Sequence, residues 1–151
     1  LMAHDPFGTD LRLVFARGSE GADLAVGLQD LETVEGLENL VQALTLRLLV
    51  DRGELAGLAH PRYGSRIRDL IGEPLDRANL ELLRRYVRQE LLRDPRVEEV
   101  LQVSVTPHDA RRDGVDVLAR VRAPMFVAPA TAARVAVDIG AAVHRESIDT
   151  R

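Results

Sequence analysis

Residues 97–122 carry two runs in which apolar and polar side chains alternate on either side of a polar loop, and an antiparallel hairpin is the structure that accommodates this. Val97 and Val100 lead into Leu101, Val103 and Val105 at alternate positions, and Pro107 ends the run. After the loop His108–Gly114, Val115, Val117, Ala119 and Val121 alternate with Asp116, Leu118, Arg120 and Arg122. A period of two places each apolar set on one face of its strand. That face must be covered, and two stretches with helical period can cover it. The first runs from about Val34 to Val50, with Leu37, Leu40, Val41, Leu44 and Leu48 as its apolar stripe. Asn39 and Gln42 fall off that stripe and are expected in solvent. The second runs from Asp76, a natural N-cap, to about Arg93. Leu80, Leu83, Val87 and Leu91 form its buried stripe, with Glu81, Arg84, Arg85 and Arg88 on the wet side.

Upstream, Leu11, Leu13 and Phe15 alternate as in a strand. Gly18–Gly21 reads as a turn and Asp23–Val26 as a short returning strand. The predicted fold class is therefore α+β: two long helices and a short one packed on a small antiparallel sheet with a C-terminal β-hairpin. Residues 1–122 read as one domain. Residues 123–151 read as an extension, in which Thr131–His144 fits either a strand, through Val135, Val137 and Ile139, or a weak helix.

The stretch between the helices has an unusual composition. Asp51-Arg52-Gly53 ends the first helix, and Gly53 is free to take positive φ beyond its last turn. His60-Pro61 imposes extended backbone before the proline. Tyr63-Gly64-Ser65 then turns the chain, with Ser65 a candidate N-cap for a short helix bearing Ile67, Leu70 and Ile71. A loop that combines Gly53, Glu54, Pro61, Tyr63 and Gly64 is expected to be ordered, and ordered loops commonly carry function.

With these spacings the segment resembles the contractile-tail baseplate family that initiates sheath assembly, found in contractile phage tails, type VI secretion systems and related injection systems. Gly8-Thr9-Asp10-Leu11 is similar to that family's opening segment. Asp94, Pro95 and Arg96 stand where the family carries a Glu-Pro-Arg triplet. The resemblance spans about Phe7 to Arg122. It implies a structural baseplate component present in six copies and assembled in the cytoplasm into a contractile, phage tail-like particle. By the same resemblance Asp94, Pro95 and Arg96 would bind wedge proteins, although aspartate shortens the reach of the family's glutamate by one methylene. The hairpin residues Val103, Val105, Val115, Val117, Ala119 and Val121 would offer the sheath protein a strand edge. Spike or hub proteins are further candidate partners.

Composition narrows the alternatives. All 20 basic residues are arginine, which reads first as GC-rich coding and second as suited to bidentate contacts. Residues 1–40 hold eight acids against two arginines, whereas residues 41–96 hold eleven arginines against eight acids. Such asymmetry can complement neighbouring subunits. The net charge of −4 and 3% aromatic content argue against nucleic-acid binding. There is no cysteine, and His4, His60, His108 and His144 have no ligand partner at helical spacing, so no metal or other cofactor is expected. No apolar run approaches a membrane span and no charged-then-apolar leader opens the chain, so membrane insertion is not expected. Part of the resembled family has been labelled lysozyme-like, and Glu54, Asp69 and Glu73 lie near the central loop. A glycosidase, however, needs paired carboxylates across a cleft, and the aromatic platform for a sugar is missing. The chain is expected to be no enzyme and to take no small-molecule substrate. The competing readings are a baseplate-associated wall hydrolase and a free-standing adaptor whose own tail covers the hairpin edge.

Overall fold

The computed structural model of the chain describes residues 6–15, 22–107 and 114–124, together with the backbone of residues 132–140. Four short strands come first: β1 (Thr9–Leu11), β2 (Leu13–Phe15), β3 (Ala22–Leu24) and β4 (Thr33–Glu35). Helix α1 (Gly36–Leu49) follows, then two single 3₁₀ turns at Ala56–Leu58 and Ile67–Leu70, then α2 (Arg77–Leu91). Strands β5 (Glu99–Pro107), β6 (Gly114–Arg122) and β7 (Ala132–Gly140) complete the order.

The alternation in β6 does what a half-buried strand requires. Val115, Val117, Ala119 and Val121 are each at most 2% exposed, while Asp116, Arg120 and Arg122 lie on the open face. In β5 the register slips between Val100 and Gln102, a bulge at Leu101. The bulge lets Val100 and Val105 both reach the core although five positions separate them. Leu40, Leu44 and Leu48 of α1 and Leu83, Val87 and Leu91 of α2 close that core from above, joined by Phe7, Ile67 and Val97. Asp76 caps α2 by accepting from the Asn79 amide at 2.9 Å, as its position implied.

The sheet is larger than a hairpin. β7 pairs antiparallel with β6 over nine residues, from Gly114 opposite Gly140 to Arg122 opposite Ala132, giving the strand order β5-β6-β7. Of the two readings open for Thr131–His144, the strand is the one that forms. β6 is therefore the central strand, and the hairpin edge expected to be open is covered by the chain's own tail. β7 also runs beside α1, and α2 lies over β5. The turn at Gly18–Gly21 and the loop His108–Gly114, up to residue 113, fall outside the described residues.

The N-terminal strands form two separate ribbons, β1 with β4 and β2 with β3, with Arg12 between them, its N donating to Glu32 O at 2.8 Å and its O accepting from Ala25 N at 2.9 Å. Here Asn39 and Gln42 depart from expectation: they are 5% and 9% exposed and hold the ribbons to α1. Asn39 Nδ2 donates to Phe7 O at 2.9 Å and to Gly8 O at 3.2 Å. Gln42 Nε2 donates to Leu11 O at 2.9 Å, and its Oε1 accepts from Leu13 N at 2.8 Å. The Gln42 amide thus supplies the donor and acceptor that a neighbouring strand would give on either side of Arg12. Replacing Gln42 with leucine keeps the bulk and removes both bonds. It should destabilise the protein by about 1–3 kcal/mol and accelerate exchange of the Leu13 amide. A urea midpoint unchanged from wild type would show that the contact is dispensable, as for an exposed glutamine.

Candidate assembly site

The central loop is fixed by its own backbone. Ser65 N donates to Val50 O at 2.8 Å, Arg52 N to Ser65 O at 3.0 Å and Gly53 N to Tyr63 O at 3.3 Å, zipping the end of α1 to the Tyr63–Ser65 turn. Gly64 makes the close approach feasible: at φ 97° a Cβ would sit 2.6 Å from the carbonyl oxygens of Val50 and Asp51. Gly53 takes φ 89°, as the helix end demanded. Ser65 Oγ donates to Leu48 O at 2.7 Å and accepts weakly from Ile67 N at 3.4 Å, so it ties the short turn to α1, while the N-cap position expected for it is taken by Arg66. Glu54 Oε2 accepts from Asp51 N at 3.0 Å. Pro61 is exposed on the loop's outer side.

Beneath the loop lies a charge that sequence reading missed. Glu90 is 1% exposed, and three arginines from three elements converge on it. Arg52 of the loop donates to Oε2 in a short bond, Arg93 approaches Oε2 at 3.4 Å, and Arg47 of α1 lies 3.7 Å from Oε1. The signal was present: Glu90 stands seven residues after Leu83 and three after Val87, on the buried stripe of α2. Asp94 continues the same stripe four residues later.

Arg47 also covers the half-buried Tyr63 ring, its guanidinium carbon 4.7 Å from the centroid. Burial raises the Tyr63 phenol above its ordinary value, with the charges of Arg47, Asp94, Arg96 and Glu90 acting on it in opposing directions. Tyr63 is thus the point where the central loop meets the Asp94-Pro95-Arg96 corner, two features widely separated in sequence. At that corner Asp94 is 3% exposed and grips Arg96 from both carboxylate oxygens. Arg96 Nε donates to Oδ1 at 2.9 Å, Nη2 to Oδ2 at 2.8 Å, and the Arg96 amide to Oδ1 at 3.0 Å. Arg96 Nη1 reaches Phe7 O at 3.3 Å, so the corner also pins the N-terminal arm. Burial alone would raise the Asp94 carboxyl. The Arg96 hydrogen bonds and the Arg96 and Arg47 charges outweigh it and hold the group below the ordinary carboxylate value. The aspartate therefore points inward and aims the arginine, and Pro95 is the member of the triplet left exposed.

The hairpin residues singled out from sequence lie elsewhere. Val105, Val115, Val117, Ala119 and Val121 are buried in the core and Val103 packs partly against it. Their side chains are thereby committed to the protein's own interior, and the exposed side chains of β6 are Asp116, Arg120 and Arg122.

Residues 13–120 match the sequence profile of the contractile injection system sheath initiator. The chain belongs to that family. No curated protein matches it. The sheath initiator fold is also recognisable in a solved structure, that of a candidate tail lysozyme from Geobacter sulfurreducens. The two share 22% identity with a TM-score of 0.57, over 68% of this chain and 88% of that one. At that identity the likeness is one of fold. A sheath initiator is a component of a contractile, phage tail-like machine, which accounts for a chain built around a rigid corner and a sheet. Among the described residues no helix is long and apolar enough to cross a membrane.

An open cavity of about 350 Å³ beside the loop is lined by Asp51, Arg52, Ser65, Arg66, Arg68 and Asp69. Its carboxylates are held by arginines, Asp51 by Arg68 and Asp69 by Arg66, each at 2.8 Å. Glu54 and Glu73 are exposed outside it.

Glu90→Gln should cost about 3 kcal/mol or more, because Arg47 and Arg52 then stay partly buried without their counter-charge. The urea midpoint should fall accordingly; a loss below 0.5 kcal/mol would mark the cluster as incidental. Asp94 gives a pH dependence of defined sign. A carboxyl whose folded pKa is depressed contributes stability above its unfolded pKa, near 3.9, and loses it as pH falls through the folded value. The stability difference between wild type and Asp94→Asn should be full at pH 7 and shrink below about pH 4. A difference constant from pH 7 to pH 2 would show that the charge of Asp94 is not what holds Arg96.

Proposed function

We propose that this sheath initiator mounts on baseplate wedge proteins through the Asp94–Arg96 corner, in six copies, and starts sheath polymerisation by main-chain strand pairing at its β5-β6-β7 sheet. The observation that carries this reading is the disposition of the sheet. Its apolar side chains face the chain's own core, so recognition by added strands would rest on backbone N–H and C=O groups. Such pairing draws its bonds from the main chain and suits a first ring that must resemble those stacked on it.

The corner fits a mounting point because its geometry is fixed before any partner arrives. Arg96 is held by Asp94 and by Phe7 O, leaving Pro95 outward and Leu92, 48% exposed, one turn away. The acidic N-terminal segment also exposes apolar side chains: Val14 is 49%, Val26 74% and Leu28 fully exposed. Exposed apolar groups of this kind suit burial in an assembly. Spike or hub proteins are further candidates for that surface.

The alternative is wall hydrolysis, favoured by the name carried by the Geobacter sulfurreducens structure. We read the present chain as non-catalytic, since Asp51 and Asp69 are ion-paired and Glu54 is bound to the Asp51 amide.

Deleting the protein from an otherwise complete assembly system should leave baseplates and tubes without extended sheath in negative-stain micrographs. Arg96→Ala, if folded by circular dichroism, should fail to enter baseplates. The purified chain should release no peptidoglycan fragments. Extended sheath without the protein would sink the initiating role, and peptidoglycan release lost in both Glu54→Gln and Glu73→Gln would establish the hydrolase instead.

A further inference from the structure

The two faces of the β6–β7 junction disagree. On the core side the register is favourable: Val115, Val117, Ala119 and Val121 stand opposite Ile139, Val137, Val135 and Ala133. On the open side it sets Asp116 opposite Asp138 and Arg120 opposite Arg134. Like charges at directly opposite positions of an antiparallel pair disfavour pairing. The β5–β6 junction has no such conflict. There Arg122 stands opposite Glu99 and bonds it at 2.6 Å, Arg120 stands opposite Gln102 and Asp116 opposite Thr106. The family match covers residues 13–120, and β7 lies outside it.

We propose that β7 is a place-holder on the β6 edge, displaced during assembly by an extended antiparallel strand of a sheath subunit. The incoming strand has apolar residues at the same alternate positions, an acidic residue opposite Arg120 and a basic residue opposite Asp116. This rests on the sheath-starting role proposed above. The backbone ladder is equivalent for either occupant and cannot choose between them, so the choice falls to the open-face charges.

The chain has no cysteine, so a single engineered disulfide can hold β7 in place. Leu118→Cys with Ala136→Cys joins positions that the register sets directly opposite. With purified sheath protein, the reduced double variant should seed polymerisation as wild type does. The oxidised form should lose seeding, and dithiothreitol should restore it. A full-length charge swap, Arg134→Asp with Asp138→Arg, makes the cis pairing complementary. It should slow hydrogen exchange of the β6 amides that face β7, on the order of tenfold, and lengthen the lag before sheath growth. Equal seeding by oxidised and reduced protein would overturn the place-holder and leave the initiating role standing. Failure of wild type itself to seed would overturn both. Unchanged exchange in the charge swap, or dimers formed by exchange of β7 between two copies, would overturn displacement by a sheath strand.

Discussion

The Glu90 carboxylate is the constraint on which the helical layer depends. A charge 1% exposed in the last turn of α2 is tolerable only if opposite charge is brought to it, and Arg47, Arg52 and Arg93 come from α1, the central loop and the segment just after α2. Desolvating an ion costs several kcal/mol and the attraction returns that only in good geometry. Such a cluster is consequently a better specifier of arrangement than a source of net stability. It requires α1, the loop and α2 to meet in one way, since a register error in any of them leaves charge buried without a partner. The Tyr63 ring under Arg47 extends the same requirement to the turn at Gly64, where backbone alone fits.

The all-arginine composition acquires a structural meaning here, whatever its coding origin. Asp94 is gripped along both oxygens by Nε and Nη2 of Arg96, with Nη1 left over for Phe7 O. A lysine ammonium presents one point of charge and could not make that fork while bonding a third group. Arg52 likewise bonds Glu90 while its Nε reaches Gly64 O at 3.4 Å. The shorter aspartate, in place of the glutamate of the resembled triplet, fits this inward role, since it has to reach only Arg96, two residues on.

What could be read in advance follows from which forces leave a period. Burial of an apolar face repeats every two or 3.6 residues, and the hairpin, both helices and the Asp76 cap were legible for that reason. Gly53 and the Tyr63-Gly64-Ser65 turn were legible because special backbone demands special residues. Polar groups that act by pairing leave no period of their own. Asn39 and Gln42 read as surface residues, yet they sit three apart on one ridge of α1 and bind an arm some thirty residues upstream. Glu90 lay on the apolar stripe, where its charge hid its position. Strand β4 is three residues long and takes its form from β1, so nothing local announces it. The Ala/Val-rich tail suits helix and strand alike, and only the waiting edge of β6 decides for β7.

The Asp94–Arg96 corner and the β5-β6-β7 sheet are held by different chemistry. The corner holds Arg96 in one orientation with charge-assisted bonds that are short and directional. An edge with the role proposed above has instead to join a neighbour largely through groups that do not depend on sequence. Backbone pairing does this, because every residue except proline brings the same donor and acceptor. Arg84 and Arg88 link the two: from α2 they reach the β5 carbonyls of Val105 and Val100 at 3.5 and 2.9 Å. The helix that carries Glu90 thereby also fixes where the sheet stands. The corner, α2 and β5 are thereby joined on one side of the sheet, while β7 pairs with β6 on the other.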